Sequence, residues 1–339
     1  MAAIDRSRKL GLAIVVDEEE RLMNTLTDGD VRRGLLAGIS LDAPVARLLE
    51  IKRNTPHPDA LTAPAGTDRE SCVTLMRHHG VRQLPLLDIS GRVVEIATLA
   101  PQELGGNGFS AVVMAGGFGK RLHPLTEHTP KPMLPVGGRP ILEILVRQLS
   151  ESGVRNFHFT THYRPEKIRE HFGDGSGFGV NINYLNEESP LGTAGALSLL
   201  PVPPADQLVI NGDILTQLDF GQMFEFHRQH KAAMTVAVRE YEHVVPFGVV
   251  RISDALIRAI EEKPRHSWFV SAGIYILSPV VFDHIVRGER LDMPQLIERV
   301  IRANQPVASF PIREKWADIG RQGDYEAANR EASSLIDGQ

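Results

Sequence analysis

Cysteine is nearly absent. One residue, Cys72, stands in 339, which excludes an internal disulfide and leaves no second thiol for a zinc or redox pair. Long apolar runs are also missing. The opening residues, Met1 to Lys9, carry no signal-type core, and no later stretch is long enough to cross a bilayer, so a cytoplasmic protein without membrane contact is expected. Blocks of like charge are absent too. Lys and Arg number 37 against 42 Asp and Glu, a formal net charge of -5 on a mixed surface, which argues against a nucleic-acid binder. The 13 histidines are scattered, and no His/Cys cluster suggests zinc.

What is present points to two folded units. A chain of this length with 42% hydrophobic residues exceeds one average domain and can supply two cores. A glycine-rich stretch over 102–109, followed at once by apolar Ala111-Val112-Val113-Met114, marks the boundary, giving units at 1–104 and 110–339. Within the first unit the sequence nearly repeats. Gly11-Leu-Ala-Ile-Val-Val-Asp17 is echoed by Gly80-Val-Arg-Gln-Leu-Pro-Leu-Leu-Asp88, and Thr27 and Thr98 each fall ten residues after their Asp. Each half is too small to bury an apolar face unless it packs on its twin. Cys72, in helical register with Val73 and Met76, reads as core.

This pattern resembles a tandem pair of CBS (cystathionine β-synthase type) modules, an α+β unit. In that family a Thr or Ser followed three residues later by Asp binds the ribose of an adenine nucleotide, which points to Thr27 and Asp30. A second reading is open: Asp28 and Asp30 cap a helix over 31–37. CBS pairs also associate face to face, which implies a homo-oligomer.

The second unit alternates strand and helix patterns: strand 111–114, helix 141–152, strand 157–161, helix 166–172, strand 182–185, helix 193–200, strand 208–210. That order predicts a Rossmann-like α/β fold on a mixed, mostly parallel sheet, with ligands at the carboxyl ends of its strands. The first strand runs straight into Ala115-Gly116-Gly117-Phe118-Gly119-Lys120-Arg121, where glycines let backbone N–H groups approach phosphate oxygens and the two cations add charge.

The full run Ala115-Gly-Gly-Phe-Gly-Lys-Arg-Leu-His-Pro-Leu-Thr126, followed by Thr129-Pro-Lys131-Pro132-Met-Leu-Pro135-Val-Gly-Gly-Arg-Pro-Ile141, resembles the signature of sugar-1-phosphate nucleotidylyltransferases, over residues 111 to about 330. The resemblance implies that Ala115, Gly116, Gly117 and Gly119 hold the triphosphate, Arg121 neutralises its β and γ phosphates, and Lys131 reaches the reacting phosphates. Glu187, Gly192 and Thr193, within Glu187-Glu188-Ser-Pro190-Leu191-Gly192-Thr193-Ala194-Gly195, match the segment that holds the nucleobase and then opens a helix, which Thr193 can cap. Asp213, closing Val209-Ile210-Asn211-Gly212-Asp213, and Asp318, in Trp316-Ala-Asp318-Ile-Gly320, are the implied Mg²⁺ ligands; carboxylates and phosphate oxygens suit that hard cation. Gly248, Glu262, Lys263 and Ser271 fall in the segments that surround the sugar phosphate. Ser271 departs from the family's usual Asn and offers one hydroxyl in place of an amide.

The implied reaction is attack by a phosphate oxygen of a sugar 1-phosphate on the α-phosphorus of a nucleoside triphosphate, releasing pyrophosphate. That oxygen is already anionic near neutral pH, so no general base is needed. The 190–195 segment is closest to the guanylyltransferase branch, which favours GTP, with glucosamine, mannose or heptose 1-phosphate as acceptor for surface-glycan or nonulosonic acid precursors. Two other readings remain open: a nucleotide-sensing regulatory protein with weak catalysis, and a GT-A-type glycosyltransferase. The latter needs an Asp-x-Asp pair where this chain has Asn211-Gly212-Asp213.

Overall fold

The computed structural model describes residues 11–40, 42–55, 57–99 and 110–332; the expected boundary segment, 102–109, and the first ten residues lie outside these. The N-terminal unit runs β1 (Leu12–Val16), β2 (Leu22–Thr27), α1 (Asp28–Leu36), α2 (Val45–Lys52), β3 (Ala63–Pro64), α3 (Arg69–His79), β4 (Gln83–Leu87) and β5 (Val93–Thr98). β1 and β2 form one antiparallel hairpin and β4 and β5 another, with β3 parallel to β4. The repeat is carried through to the bounds of the strands: 12, 16, 22 and 27 become 83, 87, 93 and 98, each 71 residues on.

The turns repeat as well. Asp17 Oδ1 accepts from the N–H groups of Glu19 and Arg21 (3.1 and 2.8 Å), and Asp88 Oδ1 accepts from those of Ser90 and Arg92 (2.8 and 3.0 Å). An Asp that ties its own turn in this way fixes the hairpin register locally. The two turns then meet, with Leu22 N–H donating to the Gly91 carbonyl at 2.9 Å. Cys72 is buried with Met76, Leu84 and Leu86, as core.

One boundary differs from expectation. α1 starts at Asp28, not 31, because its cap is Thr27: the Asp30 N–H donates to Thr27 Oγ1 and the Thr27 N–H donates to Asp30 Oδ2. This reciprocal capping box satisfies two otherwise orphaned donors, and Asp28 does no capping.

The second unit opens with β6 (Ser110–Met114), followed by the small hairpin β7 (Pro135–Val136) and β8 (Arg139–Pro140). It continues through α4 (Ile141–Glu151), β9 (Asn156–Thr161), α5 (Pro165–Phe172), β10 (Asn181–Asn186), α6 (Gly192–Gly195), β11 (Gln207–Asn211), β12 (Ile214–Thr216) and α7 (Phe220–Gln229). The last part holds β13 (Met234–Val244), β14 (Gly248–Ser253), β15 (Leu256–Glu262), β16 (Arg265–Leu277), α8 (Met293–Arg302), β17 (Val307–Pro311), β18 (Trp316–Asp318) and α9 (Gln322–Arg330). Seven strands form one sheet in the order β10-β9-β6-β11-β16-β13-β17, and only β16 runs antiparallel to its neighbours. Period-two alternation splits the core between the two faces. Ala111, Val113, Leu208 and Ile210 pack with α4 and α5 side chains, whereas Val112 and Val209 pack with Leu296 and Val300 of α8.

The helix expected over 193–200 does not form as one piece. α6 is four residues long and passes into a 3-10 turn, Ala196–Leu199. Pro201 forces Leu200 into extended backbone (φ -81, ψ 142), so the helix has no room to continue.

The two units touch. Arg32 of α1 is completely buried, ion-paired with Asp28 and Glu314, donating to the Pro311 carbonyl and lying 4.1 Å above the Phe310 ring. Arg82 reaches Asp219, the residue that caps α7, at 3.6 Å.

Candidate active site

β6, β9, β10 and β11 are mutually parallel, so the residues that leave them all emerge along one edge of the sheet. These are Ala115, His162, Glu187 and Gly212. The edge is close-knit: a Cβ at Gly116 would lie 2.7 Å from Glu187 Oε1 and 3.4 Å from His162 Cβ, and one at Gly212 would lie 3.0 Å from the Met114 carbonyl. Gly119 has φ +63, and its missing Cβ leaves space that Thr126 and Lys131 press upon. Gly117 is different. A Cβ there would meet nothing within 4 Å, so packing does not require glycine, and the backbone stands open to a ligand.

Asp213 and Asp318 come together through β12 and β18, which pair antiparallel with Ile214 opposite Asp318. Lys131, buried on a short 3-10 turn, bonds Asp213 Oδ2 and stands 3.9 Å from Asp318 Oδ1. Burial and the adjacent Asp213 charge push the Asp318 carboxyl above the ordinary range, against the pull of Lys131 and Arg121. Arg121 approaches the same place, 3.8 Å from where a Cβ on Gly320 would be. Asp213 Oδ1 is buried without a hydrogen-bond partner. A buried carboxylate oxygen left unpaired beside a second carboxylate is what a hard divalent cation would satisfy. Among the described residues no group of three or more His, Cys, Asp or Glu stands together, so such an ion would take its other ligands from phosphate oxygens or water.

Glu187 accepts from the Leu191 N–H at 2.9 Å, and burial pushes its carboxyl above the usual range. Gly192 and Thr193 are tied to the segment that opens α8. Gly192 (φ +82) leaves its Cβ side to Asp292 Oδ1 and the Leu291 carbonyl, each 2.6 Å from a Cβ built there. Thr193 sits inside α6 and does not cap it; its hydroxyl accepts from Met293 N–H at 2.8 Å, at the first turn of α8.

Gly248 and Glu262 face each other across the β14–β15 hairpin. That hairpin and Lys263 are exposed, on an arm continued by the outer halves of β13 and β16. Ser271, on β16, bonds the Tyr275 hydroxyl at 2.9 Å. Thr27 and Asp30 lie far along the chain from all of these. They line a cleft in the N-terminal unit with Arg33, Lys52 and His57, and Glu225 and Gln229 of α7 form its far wall.

Three aromatic groups beside the glycine loop carry no sequence signal of their own. Phe118, His162 and Tyr163 cluster with ring centroids 5.4 and 5.6 Å from Phe118, and the His162 ring nitrogen bonds the Glu187 carbonyl at 2.8 Å. Only the parallel pairing of β6 with β9 brings His162 beside Gly116.

Residues 110–334 match the family described as nucleotidyl transferase. The chain is 31% identical over 224 residues to a mannose-1-phosphate guanylyltransferase of Mycobacterium tuberculosis, covering 63% of this chain and 62% of that protein. It is 31% identical over 229 residues to the D-glycero-α-D-manno-heptose 1-phosphate guanylyltransferase of Aneurinibacillus thermoaerophilus, covering 67% of this chain and 99% of that one. Among solved structures, a Bacillus anthracis protein described as a candidate glucose-1-phosphate thymidylyltransferase superposes with a TM-score of 0.55 at 26% identity, over 66% of this chain and 95% of that one. The match thus spans under two thirds of the mycobacterial relative's length and nearly all of the Aneurinibacillus one.

Proposed function

The chain belongs to the nucleotidyl transferase family, and from that premise we propose that it transfers a nucleoside monophosphate, GMP from GTP, to a sugar 1-phosphate and releases pyrophosphate. The observation that carries the reading is the convergence of Lys131 on both carboxylates, Asp213 and Asp318, beside an open glycine loop at the carboxyl ends of parallel strands. The guanine preference and the mannose or heptose acceptor rest on the names of the relatives and on the 190–195 segment, and the glucosamine alternative rests on the CBS-type pair placed ahead of the catalytic unit.

Two polyanions must meet in line, so the protein's work is positioning and charge neutralisation. The backbone at Gly116, Gly117 and Gly119 lies along the triphosphate, with Arg121 against the outer phosphates. Lys131 neutralises charge at the α-phosphate, and Lys263, exposed at the end of the β14–β15 hairpin, binds the sugar phosphate. Asp213 and Asp318 would hold a divalent cation, Mg²⁺ in this reading, which when bound withdraws charge from the phosphate oxygens. Glu187 holds the nucleobase edge; Gly192 and Thr193 act one step back, by docking that segment onto the start of α8.

Pyrophosphate release measured with Mg²⁺ across four nucleoside triphosphates and the 1-phosphates of mannose, heptose, glucosamine and glucose tests this. One active pair with GTP is expected; activity with UDP- or GDP-sugars as donors and no pyrophosphate would instead support the glycosyltransferase reading.

We further read residues 1–104 as the CBS-type pair, a reading supported by the 71-residue repeat of strands and turns over 12–98. An adenine nucleotide in the Thr27 and Asp30 cleft would have to compete with the capping box and with Arg33 for the Asp30 carboxylate. A melting-temperature rise on titrating AMP, ADP or ATP, lost in Asp30→Asn, is the expected outcome.

A further inference from the structure

β12 and β18 form a ribbon three residues long, roughly 10 Å at the usual strand rise, and its two ends are occupied by different parts of the molecule. At one end stand Asp213 and Asp318. The other end continues into Asp219, which caps α7, and into the 311–315 segment that carries Glu314. Both continuations are held by arginines of the N-terminal unit. Arg82 pairs with Asp219 at 3.6 Å. Arg32 pairs with Glu314 and donates to the Pro311 carbonyl, while Arg313 returns the contact to Asp28 at 3.5 Å.

We propose that Arg32, with Arg82 in support, is a positioning residue for the active site: it clamps the far end of the β12–β18 ribbon and so fixes the spacing of Asp213 and Asp318. Arg32 is suited to this. It is completely buried, each of its three guanidinium nitrogens donates once, to Asp28, the Pro311 carbonyl and Glu314, and it lies against the Phe310 ring. A planar fork held on several sides tolerates little displacement, so a shift of the N-terminal unit is passed to the ribbon rather than absorbed. The N-terminal unit becomes a structural part of the catalytic apparatus without touching substrate.

The inference rests on Asp213 and Asp318 as the cation-holding pair, and the test separates the two. Mn²⁺ binding is followed by electron paramagnetic resonance on the full chain without substrates, alongside amide hydrogen exchange over 312–320 and melting temperature. Arg32→Met should weaken Mn²⁺ binding by about tenfold, the scale of lost outer-shell support, and speed exchange over 312–320. In turnover assays the half-saturating Mg²⁺ concentration should rise by a similar factor, with the nucleotide KM within about twofold. Arg32→Lys should recover part of the loss. If Arg32→Met does not fold, Glu314→Gln, which opens one branch of the clamp at a half-buried position, decides the matter with the same readouts. Unchanged Mn²⁺ binding in folded Arg32 or Glu314 variants, when Asp318→Asn does weaken it, overturns the clamp alone. Unchanged binding in Asp318→Asn overturns the reading beneath it.

Discussion

At the scale of single residues, the glycines divide by what fills the space beside them. Gly117 has only open space there, and it needs no positive φ. Gly117→Ala should leave stability within about 0.5 kcal/mol, since nothing is displaced. A methyl at the triphosphate face should nonetheless raise the nucleotide KM several-fold in initial-rate assays. Gly192→Ala should do the reverse. Its φ of +82 and the Leu291 carbonyl 2.6 Å from a built Cβ leave backbone with nowhere to move, so a loss of about 2 kcal/mol or more is expected in denaturant unfolding. Asp213→Asn keeps the shape and removes the charge beside Lys131 and Asp318. Turnover should fall by roughly 10² to 10⁴, the scale of a lost electrostatic contact at the reacting centre. A folded Asp213→Asn variant with near-normal kcat would remove Asp213 from the machinery.

At the scale of elements, local signals placed six of the seven elements expected between 111 and 210 within a residue or two, because the apolar periods are strong: α4 buries Ile141, Leu142, Leu145, Val146 and Leu149 on one face. Two expectations failed for local reasons, Pro201 after the 193–200 segment and the Thr27 cap before α1, and a third failed because of a neighbour in space. Thr193 has the chemistry of a helix cap and uses it on α8, a hundred residues on in the sequence, where it accepts from the Met293 N–H beside the N-cap Asp292. Thr193→Val should therefore cost about 1 kcal/mol, the value of one cap, with exchange speeding at Met293 rather than at Ala194. The capping box of Thr27 and Asp30 was open to reading from three-residue spacing alone; that spacing also fits a ribose contact, and the sequence has no means of ranking one hydrogen bond against another.

At the scale of the whole molecule, the interface between the units carries a proton-linked cost. Burial pushes the carboxyl of Glu225, on α7, up to about 7; Arg82, Arg228 and Arg33 pull it down and Asp219 adds to the rise. An acid whose pKa is raised by folding is indifferent below its unfolded value, near 4.5, and destabilises progressively as the pH rises toward 7. Glu225→Gln should accordingly melt at the same temperature as the parent near pH 4.5 and higher at pH 8, where the relieved penalty is up to about 3 kcal/mol. Equal melting temperatures at pH 8 would place Glu225 in a better solvated setting than its burial implies.

The alternation of strand and helix, the internal repeat and the glycine-loop and Lys131 signatures are all legible in the amino-acid order. Each of these is local, written in periods of two or 3.6 or in a contiguous motif, so neighbours along the chain carry the information. Tertiary structure alone decided which distant residues share the site. His162 meets Gly116 through strand pairing, and Asp318 meets Asp213 across a ribbon whose strands are 100 residues apart in the chain. It also decided that Arg32, an ordinary helix cation in the sequence, becomes the buried link between two units. Burial and pairing depend on which surfaces close against one another, a property of the packed whole that no window of sequence contains.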